Sequence, residues 1–348
     1  MPETWLQLTE AQASEQAALM GLPPFRGRQI WQWLHHQHVA AYDQMTNLPQ
    51  SLRTRLATEL PLHPIRPVRR QQSAIDGTVK YLFEMSDGCQ IESVLMQYHH
   101  GWTVCISSQA GCRMGCRFCA STLHGLERSL TAGEMLEQVY TIEREEKVPV
   151  SHVVVMGCGE PFDNYEAVVL FLRLLHAPEG QNMSYRNMTV STCGLLEGLE
   201  RWTQEGLPVT LAISLHAPND TIRKQMMPIA NRVSMNALLS ACHTYVEQTG
   251  RRITFEYALV RGVNDSVKNA KELAGRLKGL LCHVNLIPVN PVKERGLLDP
   301  EMEQIRRFEQ TLQREQIPVT VRRELGRDID GACGQLRQRH KAEMEGIG

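Results

Sequence analysis

Three closely spaced cysteines are the residues of this chain whose chemistry can be inferred most directly. Cys112, Cys116 and Cys119 lie in the run SQAGCRMGCRFCAS, with the spacing C-x3-C-x2-C. Three such thiolates can bind three irons of a [4Fe–4S] cluster, which leaves the fourth iron open to a small chelating molecule. A structural zinc site normally has four ligands, and no further His or Cys completes this group locally. The spacing therefore favours an iron–sulfur cluster over a zinc knuckle or three structural cysteines.

The segments that must position these cysteines alternate between the patterns of strands and helices. From about residue 77 three runs have the two-residue period of strands, namely VKYLFEM, QIESVLMQ and WTVCISS. After the cysteines, further strand-like runs are separated by helical stretches: HVVVMG, NMTVSTCG, PVTLAISLH, RITFEYALV, CHVNLIPVN and, as a last candidate, PVTVRR. Strands separated by helices predict a parallel sheet. Six such units predict a partial barrel, with its chemistry at the carboxyl ends of the strands.

The first 65 residues have a helical pattern instead. Ile30, Trp31 and Leu34 recur at helical spacing, and the region is mildly basic with interleaved aromatic residues. It is interpreted either as a small helical domain with an aromatic core or as a module that binds RNA. We therefore predict three parts: a helical RNA-binding accessory domain over 1–75, a partial-barrel core over 76–336 and a polar tail over 337–348.

Composition limits the class of protein. The 348 residues suffice for one large α/β barrel and a small accessory domain. The formal net charge of −1 does not indicate a nucleic-acid partner, so any RNA contact must come from local patches. The sequence shows no signal peptide and no apolar run that could span a membrane. Ten cysteines without a secretory signal indicate a reducing compartment, and we expect a cytoplasmic protein.

Eight motifs together resemble the RlmN/Cfr family of radical S-adenosylmethionine (SAM) RNA (adenine) methyltransferases. They are PFRGRQIWQWL, CISSQAGCRMGCRFCAS, MGCGEPFDN, VSTCG, SLHAPND, GVNDS, HVNLIPVNP and RDIDGACGQL. These runs extend from about residue 24 to 336, and the last lies far from the three cysteines, where ordinary radical SAM enzymes lack it. The resemblance implies an α/β fold with a partial (βα)6 radical SAM barrel and a small N-terminal helical accessory domain.

The resemblance also implies which residues hold the cofactors. Cys112, Cys116 and Cys119 would ligate one [4Fe–4S] cluster, and two SAM molecules would be used per turnover. The positions that match the SAM contacts of the family are Gly159, Glu160, Ser191, Ser214, Leu215, His216 and Asn290. Glu160 could accept a hydrogen bond from the SAM ammonium, a glycine allows close approach of the backbone, and Asn290 could bond the carboxylate or the ribose.

Three further residues would carry the methyl transfer. A ring carbon of adenine is not nucleophilic, so a thiolate can take the methyl group from a first SAM and a radical from a second SAM can activate it. By resemblance, Cys333 in DGACGQL is the methyl carrier, and Cys105 resolves the adduct through a transient disulfide with Cys333. Glu92 matches the proton acceptor of RlmN-type members; the alternative is an exposed strand carboxylate.

The resemblance leaves the substrate open in several respects. It implies an adenosine of large-subunit (23S) ribosomal RNA, with transfer RNA as a further substrate, and methylation of carbon 2. The alternatives are carbon 8, as in Cfr-type members, a cluster-bearing RNA-binding protein that does not turn over, and a radical SAM enzyme with a non-RNA substrate. The family methionine before GE is replaced by Cys158, which makes a divergent member one of the alternatives.

Partners are predicted from the same resemblance. An external electron donor such as flavodoxin or ferredoxin is expected by analogy, and the protein is expected to be a monomer. The candidate phosphate contacts, for which solvated surface charge is the alternative, are Arg26, Arg28, Arg322, Arg323 and Arg327.

Overall fold

The computed structural model describes residues 4–289, 296–323, 325–329, 336–337 and 340. The α-helices in this part of the chain are α1 Glu10–Leu19, α2 Pro24–His35, α3 Gln50–Glu59, α4 Ala132–Glu146, α5 Tyr165–His176, α6 Leu196–Glu205, α7 Asp220–Met226, α8 Met235–Thr249, α9 Val267–Leu277 and α10 Met302–Arg314. The strands are β1 Ile65–Gln72, β2 Val79–Met85, β3 Gln90–Tyr98, β4 Gly101–Ile106, β5 Gln109–Gly111, β6 Leu126–Ser129, β7 Val150–Val155, β8 Met188–Thr192, β9 Thr210–Ser214, β10 Ile253–Leu259, β11 Cys282–Pro288 and β12 Val319–Val321.

Ten of the strands form one sheet, in the order β1-β2-β3-β4-β7-β8-β9-β10-β11-β12, and β5 pairs with β6 in a separate ribbon. The pairs from β1 to β4 are antiparallel, and every pair from β4 to β12 is parallel. Strands β7 to β12 correspond to the six runs predicted after the cysteines, and β4, the predicted run WTVCISS, is a seventh strand with a parallel neighbour. The order leaves β1 and β12 at opposite ends, so the described strands form an open sheet, in agreement with the predicted radical SAM α/β fold.

Hydrogen-bonded register places the residues of interest on one face of this sheet. Val94 on β3 is opposite Cys105 on β4, which is opposite Val154 on β7. The same face continues through Thr189 on β8 to Thr210 on β9. Further along β9, Ser214 lies on this face and is opposite Glu256 on β10. Since directly paired residues project to the same side of a sheet, Cys105 and Glu256 face the same interior.

Local sequence explains where the helices that cover the outer face begin. Thr131 precedes α4, and its hydroxyl accepts a hydrogen bond from the Glu134 backbone N–H at 3.2 Å. The Glu134 carboxylate accepts in return from the Thr131 N–H at 2.8 Å. This capping box satisfies two N–H groups that the helix itself cannot pair. The helix then packs against β4.

The N-terminal helices are attached to the core through buried aromatic contacts. Trp31 of α2 donates a hydrogen bond from Nε1 to the Leu8 carbonyl at 2.9 Å and stacks on His35. His35 is fully buried, and its Nδ1 lies 3.1 Å from the hydroxyl of Tyr140 on α4. Burial, together with the nearby His38, lowers the pKa of His35 to about 3. The imidazole is therefore neutral where the two parts of the chain meet.

Strand β1 lies within the range predicted for the accessory domain. Its eight residues, IRPVRRQQ, pair with β2 and make it the first strand of the main sheet. Its polar side chains and its proline are typical of an edge strand, which is why the two-residue period does not reveal it. The domain boundary at residue 75 stays a prediction. No helix in the described part of the chain is long and apolar enough to cross a membrane.

Candidate active site

One cavity lies at the carboxyl ends of the parallel strands, beside the loop that carries the three cysteines. Its lining includes the three predicted cluster ligands, Cys112, Cys116 and Cys119. The same cavity is lined by Gly159, Glu160, Ser191, Ser214 and His216, all predicted SAM contacts. Leu215 is fully buried beneath the turn that presents His216. Asn290 lies outside the described residues. The fold therefore gathers residues spread over more than a hundred positions around a single cavity.

Backbone hydrogen bonds determine the shape of the cysteine loop. Cys112 follows β5, and its N–H donates to the Gly125 carbonyl at 2.9 Å. The Thr122 hydroxyl donates to the carbonyls of Cys116 and Cys119, both at 3.0 Å. The Arg117 N–H donates to the Met226 carbonyl of α7 at 2.8 Å. The loop is thus held on both sides before any ligand binds.

The thiols of this loop are chemically suited to an iron–sulfur cluster. Burial and the neighbouring Cys119 raise the pKa of Cys112 to about 12, and the same two effects raise the pKa of Cys116 well above its ordinary value. Several thiolates in one buried place repel one another unless a cationic centre binds them, and soft thiolates favour iron. The donor set therefore fits the cluster.

The arrangement does not fit a single metal ion equally well. In the described ranges, no three His, Cys, Asp or Glu side chains are grouped so as to hold one ion. The cysteines of a [4Fe–4S] cluster bind different irons, so they need not converge on one point.

Buried Arg223 lies next to the loop and donates a hydrogen bond to the Cys193 carbonyl at 2.8 Å. Its positive charge acts against the rise in the pKa of Cys116 that burial causes.

The loop after β7 brings Glu160 to the cavity through a glycine that no other residue could replace easily. Gly159 has φ +116°, and a Cβ atom there would lie 2.6 Å from the Ser108 hydroxyl oxygen. The buried Glu160 carboxylate accepts hydrogen bonds from the Thr192 hydroxyl at 2.6 Å, the Cys193 N–H at 2.8 Å and the Phe162 N–H at 3.0 Å. Burial raises the pKa of Glu160. A carboxylate has about four acceptor positions, so one remains for a donor in the cavity.

His216 is held in a fixed tautomer at the end of β9. Its Nδ1 accepts from the Ala258 N–H at 2.8 Å, so the neutral ring carries its proton on Nε2. Burial and the charge of Arg223 lower the pKa of His216 to about 3. The residue has φ +56°, and its carbonyl accepts from Asn264 Nδ2 at 2.7 Å. The ring edge meets Phe118 of the cysteine loop at 4.5 Å between centroids.

Two residues that contribute to this site were not predicted from the sequence. Asn264 is fully buried and joins three backbone groups, those of His216, Ala258 and Val260, at 2.7 to 2.8 Å. Glu256 is a buried acid that lines the cavity, accepts from Asn285 Nδ2 at 2.9 Å, and has a pKa raised by burial. A signal existed for Glu256, since it is the only charged residue in the strand ITFEYAL.

Comparison with known proteins identifies the family. Residues 106–274 match the model of the radical SAM superfamily, and residues 5–61 match that of the ribosomal RNA large subunit methyltransferase N-terminal domain. A protein of Lachnospira eligens, called a probable dual-specificity RNA methyltransferase RlmN, is 52% identical over 94% of this chain and 93% of its own length. The chain belongs to the RlmN family of radical SAM methyltransferases.

Other relatives agree with this membership. The RlmN relative from Geobacillus kaustophilus, which has the same descriptive name, is 47% identical over 97% of this chain and 93% of its own length. The crystal structure of a radical SAM methyltransferase from Sphaerobacter thermophilus superposes with a TM-score of 0.93 and 49% identity, covering 96% of this chain and 99% of that one. The radical SAM fold expected from the cysteine spacing is thereby confirmed.

Two of the three residues to which the resemblance gives a role in methyl transfer, Cys105 and Glu92, lie on the face of the sheet that the cavity occupies. Cys105 is buried on β4 in a small apolar cluster with Val94, Met96 and Leu325. Glu92 is buried on β3, where its carboxylate lies 2.9 Å from Lys80 Nζ. Cys333 lies outside the described residues. No disulfide joins any two of the nine described cysteines.

Cys158, in the loop after β7, is a buried thiol. Its N–H donates to the Ser107 hydroxyl at 3.0 Å, and its carbonyl accepts from the N–H groups of Ser108 and Gln109. Burial raises the pKa of Cys158 to about 12. A buried, protonated thiol behaves as a small apolar residue and reacts slowly with oxidants.

Proposed function

We propose that this protein is a radical SAM RNA methyltransferase that methylates carbon 2 of an adenosine in large-subunit ribosomal RNA, and of an adenosine in transfer RNA. The observation that carries the proposal is the single cavity in which three cysteines meet Gly159 and Glu160, with Cys105 and Glu92 on the same inner face. RNA and the dual specificity are taken from the names of the relatives at about 50% identity. The carbon position is taken from the resemblance to RlmN-type members.

The binding residues would have separate tasks. Cys112, Cys116 and Cys119 would hold the cluster, while Glu160 would accept from the ammonium group of SAM. Ser191 and Ser214, whose hydroxyl oxygens are 3.3 Å apart, would bond the polar groups of the nucleoside. Together the bound cofactors would supply a 5′-deoxyadenosyl radical, and the buried cavity would keep water from it.

The transfer itself would use groups of this chain. The Cys333 thiolate would accept a methyl group, and the same sulfur would later link the protein to the base. Glu92 would take the proton from the substituted ring carbon, and the unpaired electron left on the ring would pass to the bound cluster. The Cys105 thiolate would then attack the Cys333 sulfur to form a disulfide. The bond from that sulfur to the methylene carbon would break with its electron pair on carbon, and a proton would complete the methyl group of the released base. Reduction of that disulfide would return the protein to its starting state.

The test is reconstitution under anaerobic conditions, with unmodified ribosomal and transfer RNA, SAM and a reductant. Mass spectrometry of the digested nucleosides should show 2-methyladenosine with the wild type and with Cys89→Ala, a control cysteine on a surface turn. Cys333→Ala should show none. An 8-methyladenosine product would move the protein to the Cfr-type alternative. SAM cleavage without any methylated adenosine would overturn RNA as the substrate.

A further inference from the structure

The C-terminal chain contacts the β1–β2 turn shortly before Cys333 in sequence. The Gly326 N–H donates to the Asp76 carboxylate at 2.8 Å. Asp328 accepts from the Ala74 N–H at 2.8 Å and from the Ser73 hydroxyl at 2.6 Å. These three hydrogen bonds tie residues 326–328 to a turn that belongs to the first two strands of the sheet.

The β1–β2 turn is itself well organised for this role. The Ser73 hydroxyl accepts from the N–H groups of Ile75 and Asp76 at 3.1 and 3.2 Å. Asp76 accepts from the Thr78 N–H at 3.0 Å, and the Ser73 N–H donates to the Thr78 carbonyl at 2.8 Å. Such side-chain bonds stabilise turns without help from outside, so the partner of residues 326–328 is already in place when they dock.

A second contact lies shortly after Cys333. The Arg337 N–H donates to the Glu92 carboxylate at 2.6 Å, and the Arg337 guanidinium pairs with Glu127 of β6. Arg337 is 5% exposed and Glu92 4% exposed. Burial raises the pKa of Cys158 in the loop after β7, and the charge of Arg337 acts against that rise. This contact therefore lies close to the cofactor-binding loops.

Lys80 explains how Glu92 can be buried in this position. Its ammonium nitrogen lies 2.9 Å from Glu92 Oε2, and the side chain has no solvent exposure. A buried carboxylate needs a partner of opposite charge, and the removal of one member leaves the other unpaired in a nonpolar place. Lys80 thus pairs with the same buried carboxylate that accepts from the Arg337 N–H.

We propose that Asp76 and Asp328 on one side, and Lys80 with Glu92 on the other, are positioning residues that anchor both ends of the segment carrying Cys333. The functional consequence rests on the proposed role of Cys333 as methyl carrier. Cys333 is five residues from Asp328 and four from Arg337 in sequence. A chain attached at both ends samples a smaller volume than one attached at a single end, so loss of either anchor should change the rate at which the Cys333 thiol reacts.

The anchors can be tested without any catalysis, in the protein free of cluster, SAM and RNA. Hydrogen–deuterium exchange of peptides covering 326–337 should be at least tenfold faster in Asp328→Ala and in Lys80→Met than in the wild type. Cys333 should also react faster with iodoacetamide in both variants. Lys80→Arg, which keeps the charge, should restore most of the protection. Glu166→Ala removes another exposed acid with an arginine partner, Arg201, and should change neither measurement.

Exchange at 326–337 that stays at the wild-type rate in Asp328→Ala would overturn the proposal. This variant remains informative even if Lys80→Met does not fold, because Asp328 is at the surface. Since no turnover is involved, a failure of the proposed methyltransferase function would not affect this result.

A second experiment links the anchors to the chemistry. The reconstituted enzyme is incubated with SAM and reductant without RNA, and S-methylation of Cys333 is followed by peptide mass spectrometry. Asp328→Ala should slow this methylation about tenfold, although it leaves Glu92 untouched. Glu166→Ala, the control variant, should methylate Cys333 at the wild-type rate. Normal S-methylation in Asp328→Ala would show that the anchor does not position the thiol.

Discussion

Asn264 was not predicted to contact SAM or the cluster, yet its side chain supports the residues that line the cavity. It donates to the carbonyls of His216 and Ala258 and accepts from the Val260 N–H. These bonds hold the turn in which His216 has a positive φ, a conformation that is unfavourable for most residues. The orientation of His216 in the cavity therefore depends on Asn264.

Replacement of this residue should be detected in both stability and binding. Asn264→Ala leaves buried backbone groups without partners, so we expect the free energy of unfolding to fall by about 3 kcal/mol. SAM affinity should fall at least tenfold, as His216 loses its support. Urea titration and equilibrium dialysis measure the two effects. Asn236→Ala, at an exposed position beside Arg276, is the control, and an equal loss there would contradict the assignment.

The site residues differ in how far the sequence reveals them. The three cysteines are predictable because their spacing along the chain is itself the geometry that the cluster requires. Glu160 and His216 are recognised only because the surrounding motifs resemble a family. Asn264 lies in one of those motifs, yet it connects the end of β10, which is close in sequence, to His216 at the end of β9, which is 48 residues away. Its type and neighbours alone do not indicate what it bonds.

The loop after β7 depends on a glycine that can be tested against another one in the same chain. Gly159→Ala would place a methyl group 2.6 Å from the Ser108 hydroxyl and 2.8 Å from the Gln109 backbone nitrogen, at a strained φ. We expect the displaced loop to weaken SAM binding at least tenfold, as measured by calorimetry on the reconstituted protein. Gly275→Ala, in helix α9 with open space around it, should bind normally and be about 0.5 kcal/mol more stable.

Helices α2 and α4 meet at a histidine that makes their contact sensitive to acid. The pKa of His35 is about 3 in the folded protein and about 6.5 in the unfolded chain. The unfolded chain thus binds the proton first, and stability is lost as the pH falls below about 6.5 toward 3. Between pH 7 and pH 5 the wild type should lose about 2 kcal/mol more than His35→Phe.

Thermal or urea unfolding at the two pH values measures this difference. His243→Phe alters an exposed histidine on α8 and should leave the dependence of the wild type unchanged. An identical pH dependence in the wild type and His35→Phe would show that His35 does not carry the effect.

Most of the elements are predictable because each has a strong local pattern. The buried parallel strands β7 to β11 are short apolar runs between helices, and Thr9, a residue type that favours helix starts, precedes α1. Strand β1 has no such pattern, because only its first residue is buried. Its place in the sheet depends on pairing with β2, which is a tertiary property.

The charge of the whole molecule is close to zero, so RNA binding must depend on where the basic residues lie. Arg28, Arg322, Arg323 and Arg327 are exposed, and Arg322 also lines the cavity, whereas Arg26 donates to the Asn47 carbonyl at 2.9 Å. If Arg28, Arg323 and Arg327 contact phosphates, changing these three together to glutamine should reduce the slope of log K against log salt by about 2. Filter binding at several salt concentrations measures the slope.

The control for this measurement is a variant of two arginines that were not predicted to contact RNA, one on α5 and one on α6. Arg173 and Arg201 are exposed and pair with Glu205 and Glu166. Changing both to glutamine should leave the slope as it is. If the triple variant has the same slope as the wild type, then Arg28, Arg323 and Arg327 do not contact phosphates.

The hydrogen bond between Gly326 and Asp76 joins residues that are 250 positions apart. Closing so long a loop is slow compared with forming local structure, and during synthesis the N-terminal end leaves the ribosome first. The cysteine loop and the parallel strands can thus form before the C-terminal segment docks. We expect a nascent chain to bind the proposed cluster while Cys333, the proposed methyl carrier, is still being translated, so that the order of synthesis keeps an incomplete enzyme inactive.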